Sequence, residues 1–377
     1  MILDLTAEQE KLKNEVVDFV KDKVEPIASE LDEKCQFPTE LFKEIGKKGW
    51  FKFNVPEKYG GEGKNTVNLF IVFSEIAKGL ASLSVSLDTQ YLLMEAINLY
   101  GNEYLKDKYI PPLVKGEIIG AFAITERTAG SDIGGITGTA KKNGNEYVLN
   151  GEKCIVVSGA VADAFIVFLK TDPTKGTKGL SAFIVEKNMD GVVVEPLNPS
   201  GLRACGLGKL ILNDVRIPVD NLVGSEGDGA KIALSVLDFG RIGIASTAYG
   251  IAQGAFEVAV NYAKERKQFN VPISSFQGLR WMLADLAVEI EATKLLILEA
   301  AMTRDKGLRY TKEAAMAKLY SSKVAVKAAL TAIQIFGHYG YLKDKPLERY
   351  LRDAKGLEIA EGTSEIQKLV IARHILG

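Results

Sequence analysis

The hydrophobic pattern changes period twice along the chain, and this limits the fold more than any other feature. Up to about residue 118 apolar residues return every three or four positions. Leu12, Val16, Phe19, Val20 and Val24 form one such stripe, the spacing of a helix with a single buried face. Thr6 and Gln9 have the form of a capping box at its start, and Pro26 either interrupts this helix or begins the next segment. Further helices are expected around 39–49, 66–80, 87–100 and 103–114, with "EKYGGEG" at 57–63 as a loop. From 119 the texture becomes strand-like. "TGTAKKNGNEYVLNG" holds two short runs around Asn143-Gly144, a hairpin signal, and "DAFIVFLKT", "LSAFIVEK", "GVVVEPL" and "GKLILNDVRIP" follow. These strands do not alternate with helices. That excludes a parallel dinucleotide-binding sheet and predicts an antiparallel barrel or sandwich. The helical period returns near 226: one or two helices over 229–269, then two more, enough for a four-helix bundle. The expected fold class is α+β: an N-terminal helical domain (1–118), a middle β domain (119–225) and a C-terminal bundle (226–377).

Composition narrows the function. The chain has 377 residues, is 47% hydrophobic and carries a net charge of −1. Near-zero charge gives no reason to expect nucleic acid or an anionic membrane as partner. No unbroken apolar run approaches the ~18 residues of a span, so no membrane partner is expected. The start, "MILDLTAEQEKLKNE", lacks a signal-peptide profile. Cys35, Cys154 and Cys205 are odd in number and far apart, which reads as reduced thiols in a cytoplasmic protein. With only His338 and His374, a three-histidine metal site is impossible, and no Cys/His pair has zinc spacing. No metal is expected, and proton chemistry falls to carboxylates.

Several stretches combine a special backbone with polar groups. "RDAKGLEIAEGTSEIQKLVIARHILG" (352–377) reads as helix, break and helix, with Glu361 beside Gly362 in the break. "AFAITERTAGSDIGG" (121–135) offers Thr125, Thr128 and Ser131 where helices give way to strands. It suits a flat hydrogen-bonding ligand, or it is a polar loop capped by Ser131 and Asp132. "ERKQF" (265–269) puts Arg266 at a helix C-terminus, where the dipole alone favours a cation. "QIFGHYGY" (334–341) has two turn glycines. "GSEGDGAK" (224–231) has Glu226 and Asp228 where a phosphate would sit, and reads as a boundary loop.

Taken in order, "ITE..AGSD", the strands, "LDFGRIGIA", "ER.QF", "Q..G..GY" and "RDAK...I.EGTSEIQ" resemble the acyl-CoA dehydrogenase family over nearly the whole chain. The resemblance implies a flavoprotein with FAD between β domain and bundle, assembled as a homotetramer. It implies a carboxylate base for the α-proton of an acyl thioester, falling on Glu361, while the β-hydrogen leaves as hydride. Phe122, Thr125 and Ser131 match flavin and thioester contacts, and Val157 and Ser158 fall at further cofactor positions. Arg266, Phe269 and Gln277 match pyrophosphate and adenine contacts made across a subunit boundary. Gln334, Gly337 and Gly340 match a second cofactor turn, and Thr363 and Glu365 match contacts to the adenosine end. Asp238 and Arg241 match the helix that meets the pantetheine or CoA portion, with Ser131 and Gly362 also against substrate. One branch places its base at the position of Gly240, which cannot serve, and this favours Glu361.

Some residues depart from the family pattern. Ile155 and Val157 replace an aromatic and a hydroxyl residue over the flavin, Arg127 follows "TE", and Asn270 follows "QF". "NPSGLRACGLGKL", "TERTAGSD" and "RDAKGLEIAEGTSE" are most similar to a sub-branch of polyketide and peptide natural-product biosynthesis. Its members act on short polar acyl groups, including extender units, held by an acyl carrier protein; Arg127 and Arg203 would then meet the acyl group or the carrier. Three functions follow: a carrier-linked acyl-thioester dehydrogenase, a short-chain acyl-CoA dehydrogenase of β-oxidation feeding an electron-transfer flavoprotein, and a catalytically silent flavin-binding relative.

Overall fold

The computed structural model describes residues 5–377. Helix α1 (Ala7–Phe19) starts with the capping box: Gln9 N–H donates to Thr6 Oγ1 at 3.2 Å and Thr6 N–H donates to Gln9 Oε1 at 3.0 Å. A five-residue π turn leads into α2 (Glu25–Glu33), with Pro26 in the first turn, where its missing N–H costs nothing. Then come α3 (Thr39–Lys47), α4 (Thr66–Tyr100) and α5 (Glu103–Val114).

The two helices expected at 66–80 and 87–100 are one element, α4, kinked where Leu80 leaves helical space at φ −153° and ψ 97°. This helix is long and apolar enough, by length and composition, to cross a membrane, although Glu75, Lys78 and Asp88 break its apolar runs. It instead runs through the protein interior, with 94% of its apolar window buried.

The β domain is one eight-stranded sheet: β1 (Gly120–Ala123), β2 (Thr139–Asn143), β3 (Glu146–Val156), β4 (Ala164–Lys170), β5 (Leu180–Glu186), β6 (Val192–Pro196), β7 (Gly208–Pro218) and β8 (Leu222–Val223), in the order β6-β7-β3-β2-β4-β5-β8. The β2–β3 hairpin turns at Gly144 and Asn145, with Asn143 opposite Glu146 and Gly144 at φ 61°. The sheet is mixed, not purely antiparallel, because β1 joins β4 in parallel register with Phe122 opposite Ile166. That pairing spans more than forty residues of chain, and local pattern carries no trace of it.

The C-terminal part is α6 (Gly229–Glu265), α7 (Gln277–Asp305), α8 (Thr311–Phe336), α9 (Leu347–Ile359) and α10 (Ser364–Leu376). Helices α4 and α6 approach closely because α6 carries glycines on the shared face: a Cβ at Gly250 would lie 2.2 Å from the Ser74 carbonyl. Across the same contact Ser84 and Thr247 hydroxyls meet at 2.7 Å. Packing α4 and the sheet against the bundle puts β1, the end of β3 and the α9–α10 break around one cavity.

Candidate active site

The break between α9 and α10 is built from two consecutive left-handed residues, Glu361 (φ 54°) and Gly362 (φ 94°). Glycine adopts this freely, but for glutamate it costs ~1–2 kcal/mol. The surroundings enforce it. Buried Gln367 donates its Nε2 hydrogens to the carbonyls of Glu361 (3.1 Å) and Gly362 (2.8 Å). Lys318, fully buried on α8, donates to the carbonyls of Gly362 (2.7 Å) and Glu358 (3.1 Å). Thr363 then caps α10 by accepting from Ile366 N–H at 3.5 Å.

The Glu361 side chain points away from solvent. Its Oε2 is buried without a hydrogen-bond partner. It lies against Gly240 on α6, where any Cβ would be 2.3 Å from that oxygen. Burial raises its pKa above the ordinary carboxylate range, while the neighbouring Asp88 carboxyl and the charges of Arg241 and Lys318 oppose the rise. Lys318 is pushed down to about 8, chiefly by burial. Arg241 is itself buried and binds Asp238 at 2.5 Å, and Asp238 accepts from Thr311 at 2.6 Å.

Glu361 opens on a cavity of about 370 Å³, inside the ~300–1,000 Å³ range of small-molecule sites. Phe122, Ile124, Thr125, Ser131, Ile155 and Val157 form its β-domain wall. The loop carrying Thr125 and Ser131 is pinned by a buried ion pair. Glu126 accepts from Lys153 Nζ at 2.7 Å, from Thr137 N–H at 2.7 Å and from Gly138 N–H at 3.1 Å. Lys153, fully buried, also donates to the Phe168 carbonyl at 2.6 Å. An apolar hollow with the Thr125 and Ser131 hydroxyls on a pinned loop and an orphaned carboxylate oxygen fits a flat ring with an apolar chain beside it.

The expected site residues fall into groups. Phe122, Thr125, Ser131, Val157, Glu361, Gly362 and Thr363 line this cavity together. Ser158 does not line it: its hydroxyl is buried 3.2 Å from that of Thr89, and its N–H donates to the Cys205 carbonyl at 3.0 Å. Asp238 and Arg241 sit behind the wall on α6. Arg266, Phe269, Gln277, Gln334, Gly337 and Gly340 gather at the far end of the bundle, where α6 and α8 finish and α7 begins, and none lines the cavity. There Arg266 stands 5.6 Å from the Tyr339 ring. Phe269 is 87% exposed, and Glu365 is exposed on the first turn of α10. His338 packs on Tyr339 at 4.1 Å, in that same turn and away from Glu361. Arg203 is committed internally, donating to the carbonyls of Asp32 (2.9 Å), Glu33 (3.3 Å) and Pro199 (3.4 Å), which leaves it unsuited to a carrier.

Sequence reasoning missed Asp88, Lys153, Lys318 and Gln367. Asp88 interrupts the apolar run "SLSVSLDTQYLLM" and is buried. The lysines read as surface charges until their carbonyl partners are seen.

Comparison with known proteins agrees with this arrangement. The family models for the acyl-CoA dehydrogenase N-terminal, middle and C-terminal domains match residues 6–117, 121–215 and 227–376. A short-chain-specific acyl-CoA dehydrogenase of Clostridium acetobutylicum is 45% identical, covering 100% of both chains. Butyryl-CoA dehydrogenase from Megasphaera elsdenii superposes with a TM-score of 0.98 at 38% identity over 100% of both chains. The prolyl acyl carrier protein oxidase AnaB gives 0.95 at 30% identity, over 99% of this chain and 100% of that one. A carboxylate held in a strained break over an apolar cavity, on three domains that each match, makes this chain an oxidoreductase of the acyl-CoA dehydrogenase family.

Proposed function

We propose that the chain is an FAD-dependent dehydrogenase of short acyl-CoA thioesters, with Glu361 as the base. The observation that carries this is the Glu361 carboxylate, its Oε2 buried and unpartnered, facing an apolar cavity from an enforced left-handed turn. A thioester α-proton is weakly acidic, and a desolvated carboxylate removes it better than a solvated one. The N–H of Glu361 makes no backbone hydrogen bond among the described residues. It is therefore free to donate to the thioester carbonyl as enolate charge grows, an oxyanion-hole role. Phe122, Thr125, Ser131 and Val157 would hold the flavin ring, and bound FAD supplies the hydride acceptor. Leu92, Leu237 and Ile244 complete the apolar lining and exclude water from the α-carbon. The small cavity supports a short acyl group.

Arg266, Phe269, Gln277, Gln334, Gly337 and Gly340 would hold the cofactor's far end in a neighbouring subunit's site, since they lie away from this chain's own cavity. A homotetramer feeding electrons to an electron-transfer flavoprotein is the matching assembly and outlet. The carrier-protein reading, with a polar acyl group, is the second one. It draws on the likeness to AnaB, but that likeness is weaker than those to the CoA enzymes, and Arg203 no longer supports it.

Anaerobic mixing with a panel of CoA-bound and carrier-bound acyl groups tests the proposal. Bleaching of the flavin by short acyl-CoA is the expected result. Bleaching by carrier-bound groups alone would install the second reading, and no bleaching by any thioester would leave a silent relative.

A further inference from the structure

Two buried carboxyls share one strip of α6. Glu361 lies against Gly240, and Asp88, midway along α4, lies against Gly243, where a Cβ would be 1.9 Å from Asp88 Oδ1. Positions 240 and 243 are neighbours on the same helix face. Asp88 is 1% exposed. Both of its oxygens lack a hydrogen-bond partner, and so does Glu361 Oε2. Three orphaned acceptors this close together at the wall of the cavity are not compatible with two anions. A single proton on one carboxyl turns an orphaned acceptor into a donor to the other and leaves one charge for the pair.

The neighbours decide which carboxyl keeps that proton. Glu361 faces two cations, Arg241 from α6 and Lys318 from α8. Lys318 in turn faces Glu358 on α9 and Glu365 on α10, and Arg241 is shared with Asp238. The charged group acting on Asp88 is Glu361, with no cation to offset it. The negative charge therefore rests on Glu361.

We propose that Asp88 is a positioning acid: it keeps the shared proton and donates a hydrogen bond to the Glu361 carboxylate, fixing that group over Gly240 with its remaining lone pairs toward the cavity. The pairing stands on geometry, and its catalytic meaning rests on the reading of Glu361 as base. When Glu361 takes the substrate proton the pair becomes neutral, and no charge stays buried beneath the product.

The test is infrared spectroscopy of protein labelled with carbon-13 at aspartate side-chain carboxyls, in an Asp353→Asn background, because burial raises that aspartate to about 7 as well. At about pH 7, above the ordinary carboxylate range, a protonated-carboxyl band carrying the isotope shift is expected. It should vanish in Asp88→Asn, and in Glu361→Gln it should titrate away at lower pH because the neighbouring anion is gone. No such band, a band that survives Asp88→Asn, or one without the isotope shift would overturn the proposal. A second arm follows the pH dependence of flavin reduction. Asp88→Val should move the acid limb up by about one pH unit or more, since Glu361 loses its donor, whereas Asp88→Asn keeps a donor and should move it less than half as far. Equal shifts would mean that packing, not the hydrogen bond, matters. Undiminished flavin reduction in Glu361→Gln with the infrared result intact would sink the base assignment alone.

Discussion

At residue 361 the chain accepts local strain to put a carboxylate where a helix would not. The cost of a left-handed glutamate, ~1–2 kcal/mol, is offset by four hydrogen bonds from Gln367 and Lys318 to carbonyls of the turn and its flanks. A second buried acid nearby has a different consequence. Asp353 on α9 is fully buried, with Oδ1 accepting from Leu202 N–H at 2.6 Å and Oδ2 unpartnered. Burial pushes its pKa up to about 7, against ~3.9 for an ordinary aspartate. The folded state thus keeps a proton that the unfolded chain releases. This contribution to stability is complete below about pH 4 and is lost as pH rises through about 7. Asp353→Asn keeps the acceptor without the titration. Urea unfolding at pH 5 and pH 8 should show the wild-type loss of stability with pH shrinking in the variant by on the order of 2–3 kcal/mol. An unchanged loss would mean that Asp353 titrates like an exposed aspartate.

Among the elements, α6 organises the site by what it lacks. Gly240 and Gly243 leave room for two carboxyls that any side chain would displace. Gly240→Ala should leave stability within about 1 kcal/mol of wild type, since helix propensity favours alanine and the obstructed atom is the end of a flexible side chain. The same change should slow flavin reduction by roughly 10²-fold, the cost of displacing a catalytic group by ~1 Å. Unfolding titrations and rapid mixing read the two effects separately, and a wild-type rate would show that the carboxylate does not use this space. The elements themselves were mostly legible, because helix and strand periods are local properties of the sequence. The errors came where locality fails. Around 81–86, "ASLSVS" mixes small and branched residues with no clear period, so α4 looked like two helices. The parallel β1–β4 pairing depends on contacts far apart in sequence. "EG" before a cap revealed the Glu361 turn, but Asp88, Lys153 and Lys318 owe their importance to partners on other elements. A lone charge in the sequence does not reveal whether its partner is water or a buried carbonyl.

For the whole molecule, the exposed apolar residues bear on assembly. Trp281 (61% exposed), Val288 (70%) and Leu295 (40%) recur every seven residues along α7, a single stripe on one helix face. Leu330 on α8 and Leu369, Ile375 and Leu376 on α10 are also exposed. Sedimentation should give an oligomer, a tetramer under the proposed assembly, and a monomer of about 41 kDa that retains FAD would contradict it. The three domains meet around the cavity onto which Glu361 opens. Glu361→Gln preserves the shape of the side chain and its place over Gly240 but removes the proposed base. Anaerobic rapid mixing of the purified, flavin-loaded variant with a short acyl-CoA should show flavin reduction slowed by at least ~10²–10⁴-fold, the usual loss for a general base, with flavin content and thermal stability close to wild type. Reduction at the wild-type rate would contradict the account.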